Sequence, residues 1–166
     1  MPSLLKYSTN ILTLGNHFFF SKMQKYIMKK FEFVDISVAD VAFVAYGKSL
    51  SELFSNSALA MFEVMVNTKQ VKPKIEKKIK VKGNDLQSLM FNWLNKLLVF
   101  VDSQNLVFSR FKTEVNEKNF TLQATCKGEK INLKKHEART AVKACTYHEM
   151  KIEKNKFWKA QVILDI

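Results

Sequence analysis

The spacing of apolar residues changes along this chain from helical to alternating, and this change limits the folds that it can adopt. Two earlier segments carry apolar residues at helical spacing, whereas from residue 106 onward the chain is strand-like in four successive runs. Helices that are segregated from a run of antiparallel strands are typical of the α+β class. We therefore predict a single compact α+β domain in which two helices pack on one face of a largely antiparallel sheet.

Both helices are predicted from an apolar stripe that follows a capping residue. Ser49 precedes the first stripe and Glu52 completes a capping box with it, while Asn84 and Asp85 cap the second stripe. The stripes consist of Leu50, Leu53, Phe54, Ala58, Met61, Phe62 and Met65, and of Leu86, Leu89, Met90, Trp93, Leu94, Leu97 and Val101. Such stripes are most simply core-facing, and they give no reason to assign a cofactor site.

Seven segments rich in β-branched and aromatic residues are predicted to be strands. They are residues 31–35, 40–47, 74–83, 106–115, 119–128, 140–154 and 157–166. In the lysine-rich third strand, Ile75, Ile79 and Val81 point inward. The last strand places Trp158, Ala160, Val162, Leu164 and Ile166 on one face, and Lys159, Gln161, Ile163 and Asp165 on the other. Because this alternation reaches residue 166, we expect this end of the chain to be held in the sheet.

The charge of the chain is strongly basic, with 27 Lys and Arg against 15 Asp and Glu, a formal net charge of +12. Such a balance suggests contact with nucleic acid or with an acidic partner. Only Arg110 and Arg139 are arginines, although base and phosphate readers commonly use the bidentate guanidinium. Composition alone favours solvated lysine faces in a lysine-rich proteome.

Catalytic signatures are missing from the sequence, which has no dinucleotide-binding glycine motif, phosphate-binding loop, nucleophile elbow or HExxH. His17, His136 and His148 lack metal-ligand spacing, and His148 is interpreted as a strand-face residue. Cys126 and Cys145 are too few for a disulfide scaffold, and Cys145 is interpreted as a small buried hydrophobe. Two such cysteines fit a reducing compartment, so we expect a cytoplasmic protein. No apolar run reaches the roughly 18 residues that span a bilayer.

The composition shifts near residue 28, since no Asp or Glu occurs before Glu32. A targeting peptide, a disordered extension and a start codon assigned too early all account for this shift. Transit peptides favour arginine, which this stretch lacks. We place residues 1–27 outside the folded unit as an N-terminal extension and residues 28–166 within it.

Two aspartates are candidate ligands for a hard cation. Asp40 begins a strand and alone is more often a turn residue, and Asp165 alone is more often an ordinary strand-end acid. Together with the terminal carboxylate of Ile166, they would form a compact set of oxygen ligands, which suits calcium or magnesium and not zinc. Sequence spacing does not show that they meet, because they lie at opposite ends of the predicted domain.

Four stretches in residues 29–166 resemble the archease family, whose members assist the tRNA-splicing RNA ligase. They are FEFVDISVADVAFVAYGKSLSELFSNSALAMFEVM, GNDLQSLMFNWLNKLL, AVKACTYHEM and VILDI, in the family's order and spacing. The resemblance implies a compact α+β fold and a divalent cation, calcium in the family, held by Asp40, Asp165 and Ile166. Lys143, in AVKACTY, matches a family lysine implicated in activity.

The resemblance further implies a non-catalytic protein cofactor. Such a protein activates the RtcB-type tRNA-splicing RNA ligase by promoting its guanylylation and multiple turnover in joining tRNA exons. One departure concerns the family's Asp-His-Thr-Ala-Asp motif, which here runs from Asp35 to Asp40, is one residue longer and lacks the histidine. No role of that histidine can therefore be carried over to this chain. A bulge in the longer stretch before Asp40 would alter the geometry of the cation ligands.

Two other functional classes stay open. A lysine-rich RNA-binding or chaperone-like module is suggested by residues 74–82, and its binding would weaken steeply with salt. A metal-dependent hydrolase would use Asp40 and Asp165. Two carboxylates without a histidine, a cysteine or a second acidic pair make a poor site for that chemistry.

Overall fold

The structure, a computed structural model, describes residues 29–34 and 40–166. Its elements are β1 (Phe31–Val34), β2 (Asp40–Gly47), α1 (Leu50–Met65), β3 (Ile75–Lys82), α2 (Leu86–Gln104), β4 (Leu106–Asn116), β5 (Thr121–Lys130), β6 (Ala144–Lys154) and β7 (Trp158–Asp165). The predicted extension 1–27 lies outside the described residues. So do Asp35, the predicted end of the first strand, and residues 36–39.

The strands form two antiparallel sheets, with the orders β1-β2-β7-β6 and β3-β5-β4. The predicted α+β class, with two helices packed on antiparallel strands, is confirmed. The strands nevertheless divide between two sheets, where the sequence suggested one. Alternation identifies the apolar face of a strand but not the neighbour with which it pairs, so this division is not encoded in a readable pattern.

Helix α1 is hydrogen-bonded to both sheets. On one side the Asn56 side-chain amide donates to the carbonyl oxygen of Tyr46 in β2, at 2.7 Å. On the other side the Ser51 hydroxyl accepts a bond from the backbone N–H of Val115 in β4, at 3.0 Å. A helix with neighbours on two sides is buried around most of its circumference, and even Asn56 and Ser57 are buried here.

The predicted helix caps are present. Ser49 Oγ accepts a hydrogen bond from the Glu52 N–H at 3.1 Å, and the Glu52 carboxylate accepts from the Lys48 N–H at 2.8 Å, one residue before the expected position. At α2, the Asp85 carboxylate accepts from the Ser88 N–H at 2.6 Å, and Ser88 Oγ accepts from the Asp85 N–H at 3.0 Å. These bonds satisfy N–H groups that a helix start otherwise leaves unpaired.

The core lies where the two helices and the inner faces of the sheets meet. Its largest fully buried side chains include Phe43, Leu53, Phe54, Met61, Phe62, Leu89, Met90, Trp93, Leu94, Leu97, Leu106 and Phe108. The Trp93 indole N–H donates to the carbonyl oxygen of Phe54 at 3.1 Å and so joins the helices. The predicted stripes are buried apart from Leu86 and Val101, which are half-buried.

Substitution of Asn56 tests the burial of α1. Asn56→Ala removes a buried side-chain amide and leaves the part-buried Tyr46 carbonyl without this donor, so we expect a loss of about 1–3 kcal/mol of unfolding free energy in urea titrations. Asn92→Ala is the matched control, since Asn92 donates to the Lys82 carbonyl at 2.8 Å in an exposed position where water can replace it. We expect less than about 0.5 kcal/mol for the control. Equal losses would contradict the two-sided packing of α1.

Candidate functional site

The pairing of β2 with β7 brings two predicted ligands together. These strands are antiparallel and in register along their whole length, so the first residue of β2, Asp40, lies opposite the last residue of β7, Asp165. Residues directly opposite one another have Cβ atoms about 5 Å apart and share one face of the sheet. The two aspartates are thus cross-strand neighbours despite their separation in sequence.

Strand β6 brings the third part of the site to the same edge. Ala144, its first residue, pairs with Asp165, and the N–H of the preceding Lys143 donates to the Asp165 carbonyl at 2.8 Å. The Lys143 ammonium donates to the main-chain oxygen of Ile166 at 2.8 Å and lies 4.0 Å from Asp165 Oδ1. All four residues singled out by the resemblance therefore meet at one end of the four-stranded sheet.

The donor set at this end of the four-stranded sheet suits a hard cation. It offers the carboxylates of Asp40 and Asp165 and the main-chain oxygen of Ile166, and all-oxygen sets favour calcium or magnesium. The Lys143 ammonium, itself a cation, already approaches two of these three residues. Among the described residues, no group of three or more His, Cys, Asp and Glu side chains could hold a metal. A cation here consequently relies on Ile166 as well as on the two aspartates.

Solvent reaches this site. The side chain of Lys143 is 69% exposed and that of Asp165 is 50% exposed, so their ion pair is screened and contributes little to stability. Like charges directly opposite each other on two strands are unfavourable. Two carboxylates held side by side in this way form an arrangement that is typical of a ligand site for a hard cation.

A buried carboxylate anchors the segment that leads to Lys143. Glu129, near the end of β5, accepts a hydrogen bond from the Lys72 N–H at 2.7 Å and also contacts Lys135, Lys74 and His136. The bond from Lys135, followed by that from Lys72, holds the pKa of Glu129 far below its usual range. The chain that follows β5 is thus fixed to the three-stranded sheet.

His136 belongs to this anchor and not to the candidate cation site. Its Nδ1 accepts a hydrogen bond from the Asn132 N–H at 3.0 Å, so its Nε2 carries the proton and donates to Glu129 at 3.1 Å. Both ring nitrogens are occupied and the ring is buried. No metal-binding role follows for this histidine.

The next residues are tied to the end of α1. The Arg139 N–H donates to the Met65 carbonyl at 2.9 Å, and residues 141–143 are not in a strand. The strand predicted from Thr140 begins only at Ala144, because the N–H groups of Arg139 and Thr140 donate to carbonyls of α1, and the first bond to β7 comes from the Lys143 N–H. This path delivers Lys143 to the edge from an anchored segment.

Strand β6 also contains an irregularity that the sequence did not reveal. Its pairing with β7 shifts between Thr146 and Lys151, and Glu149 has a positive φ of 50°. Tyr147 stacks on Phe91 of α2 with ring centroids 4.2 Å apart. Alternation of residue types cannot reveal such a bulge, since it depends on a contact with another element.

The structure tests the predicted exposure of residues on β6 and β7. His148 is exposed on β6 and Cys145 is buried, as predicted, and burial raises the pKa of Cys145 to about 12. Trp158 and its apolar partners face the core. Ile163, placed on the polar side, is also buried, as are Ala42 and Val44 on the same face of the sheet.

Comparison with known proteins identifies relatives of this chain. A family model described as the archease protein family (MTH1598/TM1083) matches residues 31–166. The archease of Sulfurisphaera tokodaii is 46% identical over 140 residues, covering 84% of this chain and 100% of that protein. The archease of Sulfolobus acidocaldarius is 48% identical over 128 residues, covering 77% and 91%. A solution structure of Methanobacterium thermoautotrophicum protein 1598 is 44% identical, with a TM-score of 0.73, and covers 84% of this chain and all of that one.

The match extends over every strand and both helices that the structure describes, together with the edge where Asp40, Lys143, Asp165 and Ile166 meet. Within the described residues, no helix has the length and apolar character needed to cross a bilayer. The chain therefore belongs to the archease family.

Proposed function

We propose that this chain is a non-catalytic activator of a tRNA-splicing RNA ligase, that it acts in tRNA processing in the cytoplasm, and that it promotes guanylylation of the ligase. It binds a divalent cation, with calcium favoured, through Asp40, Asp165 and Ile166. One observation carries the proposal, namely the register that places Asp40 opposite Asp165 while Lys143 contacts Ile166. Membership of the archease family supports the same assignment.

The chemistry of the described residues supports an activator over an enzyme. Burial raises the pKa of both Cys126 and Cys145 to about 12, so neither thiol is a ready nucleophile. The ring of His136 is engaged by Asn132 and Glu129. Neither a reactive thiol nor the ring of His136 is thus available to act with the carboxylates of Asp40 and Asp165.

This exposed end of the four-stranded sheet is suited to positioning reactive groups of a partner protein. A bound cation would add positive charge between Asp40 and Asp165. Lys143 projects from the same edge with most of its side chain in solvent, and its ammonium can contact a carboxylate or phosphate of the partner. Strands fix the backbone of Asp40 and Asp165, and rigid placement of this kind is how phosphoryl transfer is assisted without new chemistry.

Neutralising either aspartate tests the cation site. We expect Asp40→Asn and Asp165→Asn each to weaken calcium binding about tenfold or more, because hard-cation affinity depends on ligand charge, and to lower ligase guanylylation in parallel. Calorimetric titration with calcium and single-turnover guanylylation of the cognate ligase measure the two effects. Asp102→Asn is the matched control, an exposed aspartate on α2 outside the site. If the site variants match this control in both assays, the site assignment is wrong.

Replacement of Lys143 separates cation binding from partner contact. The ammonium competes with a cation for the oxygen of Ile166, so Lys143→Met should leave calcium affinity unchanged or raise it severalfold. Stimulation of the ligase should fall, because the contact with the partner is lost. Lys96→Met, on the exposed face of α2, serves as the control. A parallel fall in calcium affinity and stimulation would instead place Lys143 among the groups that hold the cation.

A further inference from the structure

The outer face of the three-stranded sheet is strongly basic. Its exposed charged side chains are Lys78, Lys80 and Lys82 of β3, Lys127 of β5, and Arg110 and Lys112 of β4, against the acids Glu76 and Glu114. We call these six cations the basic face. They point away from the core, since they alternate with inward residues such as Ile79, Ala124 and Thr113.

The register places these cations in a compact array. Lys78 and Lys112 flank Thr125 of the central strand, and Lys80 lies beside Gln123. Adjacent strands are about 4.8 Å apart and alternate residues along a strand about 7 Å apart, so neighbouring charges are spaced at roughly that scale. Side chains of Lys78, Lys80 and Lys112 also line an open depression over the two polar residues.

Most of this positive charge is not neutralised within the protein. Glu76 forms an ion pair with Lys127, at 3.0 Å. In residues 29–34 and 40–166, none of the other five cations of the basic face makes an ion pair. Like charges so close together are unfavourable in the free protein, and an anionic ligand would relieve their repulsion.

A basic composition alone does not account for this array. The outer face of the four-stranded sheet carries the acids Glu32, Asp40, Glu153 and Asp165 against the bases Lys151 and Lys159. Lysines that merely followed the composition would be spread over both sheets. The two outer faces instead have opposite charge balances, so the basic face is a property of one surface.

The residue types on this surface fit a phosphate backbone better than a protein. Protein interfaces centre on aromatic and apolar anchors and are depleted in lysine, and none of the exposed large hydrophobic residues of the described chain lies on this face. Phosphate oxygens, in contrast, are bound by Lys and Arg together with polar side chains such as Thr125 and Gln123. The basic face has no exposed aromatic ring on which bases could stack and only Arg110 for bidentate contacts, so it would not recognise the base sequence.

We infer that the basic face is a docking surface for the phosphodiester backbone of RNA, bound without regard to sequence. This surface lies on a different sheet from the candidate cation site. The inference does not depend on the proposed activation of a ligase, and its test uses this chain alone.

Two variants with equal charge test the inference. Lys78→Gln, Lys80→Gln and Lys112→Gln together alter the basic face, while Lys96→Gln, Lys151→Gln and Lys159→Gln together alter exposed lysines elsewhere. Each set lowers the formal net charge from +12 to +9, since 12 − 3 = 9. Fluorescence anisotropy with a labelled oligouridine of about 20 nucleotides, longer than a small module covers, measures affinity between about 50 and 200 mM salt.

We expect the face variant to bind the RNA about tenfold or more weakly at low salt, and the control to lose less than about twofold. The slope of log affinity against log salt should fall by about 2 for the face variant, which loses three contacts at about 0.7 each. Arginine at the same three positions should restore binding. Equal losses in the two glutamine variants, or unchanged binding by the face variant, would overturn the inference. Displacement of the RNA by polyglutamate at matched charge would assign the surface to an acidic protein and also overturn it.

Discussion

The pairing of β2 with β7 joins the two ends of the described chain near the middle of one sheet, and it determines the core and the candidate site together. Phe43 opposite Val162 and Ala45 opposite Ala160 face the helices, so Asp40 opposite Asp165 must face outward. A slip of one residue would turn these apolar side chains to solvent and is strongly disfavoured. Burial of the core therefore also secures the alignment of the two carboxylates.

Local features were predictable from the sequence, and pairings between distant segments were not. The caps at Ser49 and Asp85 depend on residues within one turn, and the apolar stripes depend only on helical spacing. The division into two sheets depends on partners far along the chain, the irregularity of β6 lies where Tyr147 stacks on the distant Phe91, and the burial of Asn56 depends on how α1 packs against β2. Sequence spacing could suggest Asp40 and Asp165 as ligands, but only the register shows that they are neighbours.

The two sheets lie on different sides of α1, and their outer faces differ in chemistry. This helix is hydrogen-bonded to β2 on one side and to β4 on the other, so each sheet turns one face toward it and the other face away from it. The outer face of the first sheet carries paired acids, and that of the second carries lysines. A single domain thereby presents surfaces of opposite charge, each set by the outward residues of its own strands.

The central position of β7 has a consequence for biosynthesis. During translation β2 emerges early, but its partner is complete only once residue 165 has left the ribosome, so β2 must wait with one edge unpaired. The β4–β5 hairpin, in contrast, joins neighbouring segments and can form sooner. Because the β2–β7 pairing closes a much longer loop, we expect the four-stranded sheet to assemble more slowly than the hairpin. The pairing of Asp40 with Asp165 therefore forms late, and a nascent chain that stops before β7 lacks this pair of carboxylates.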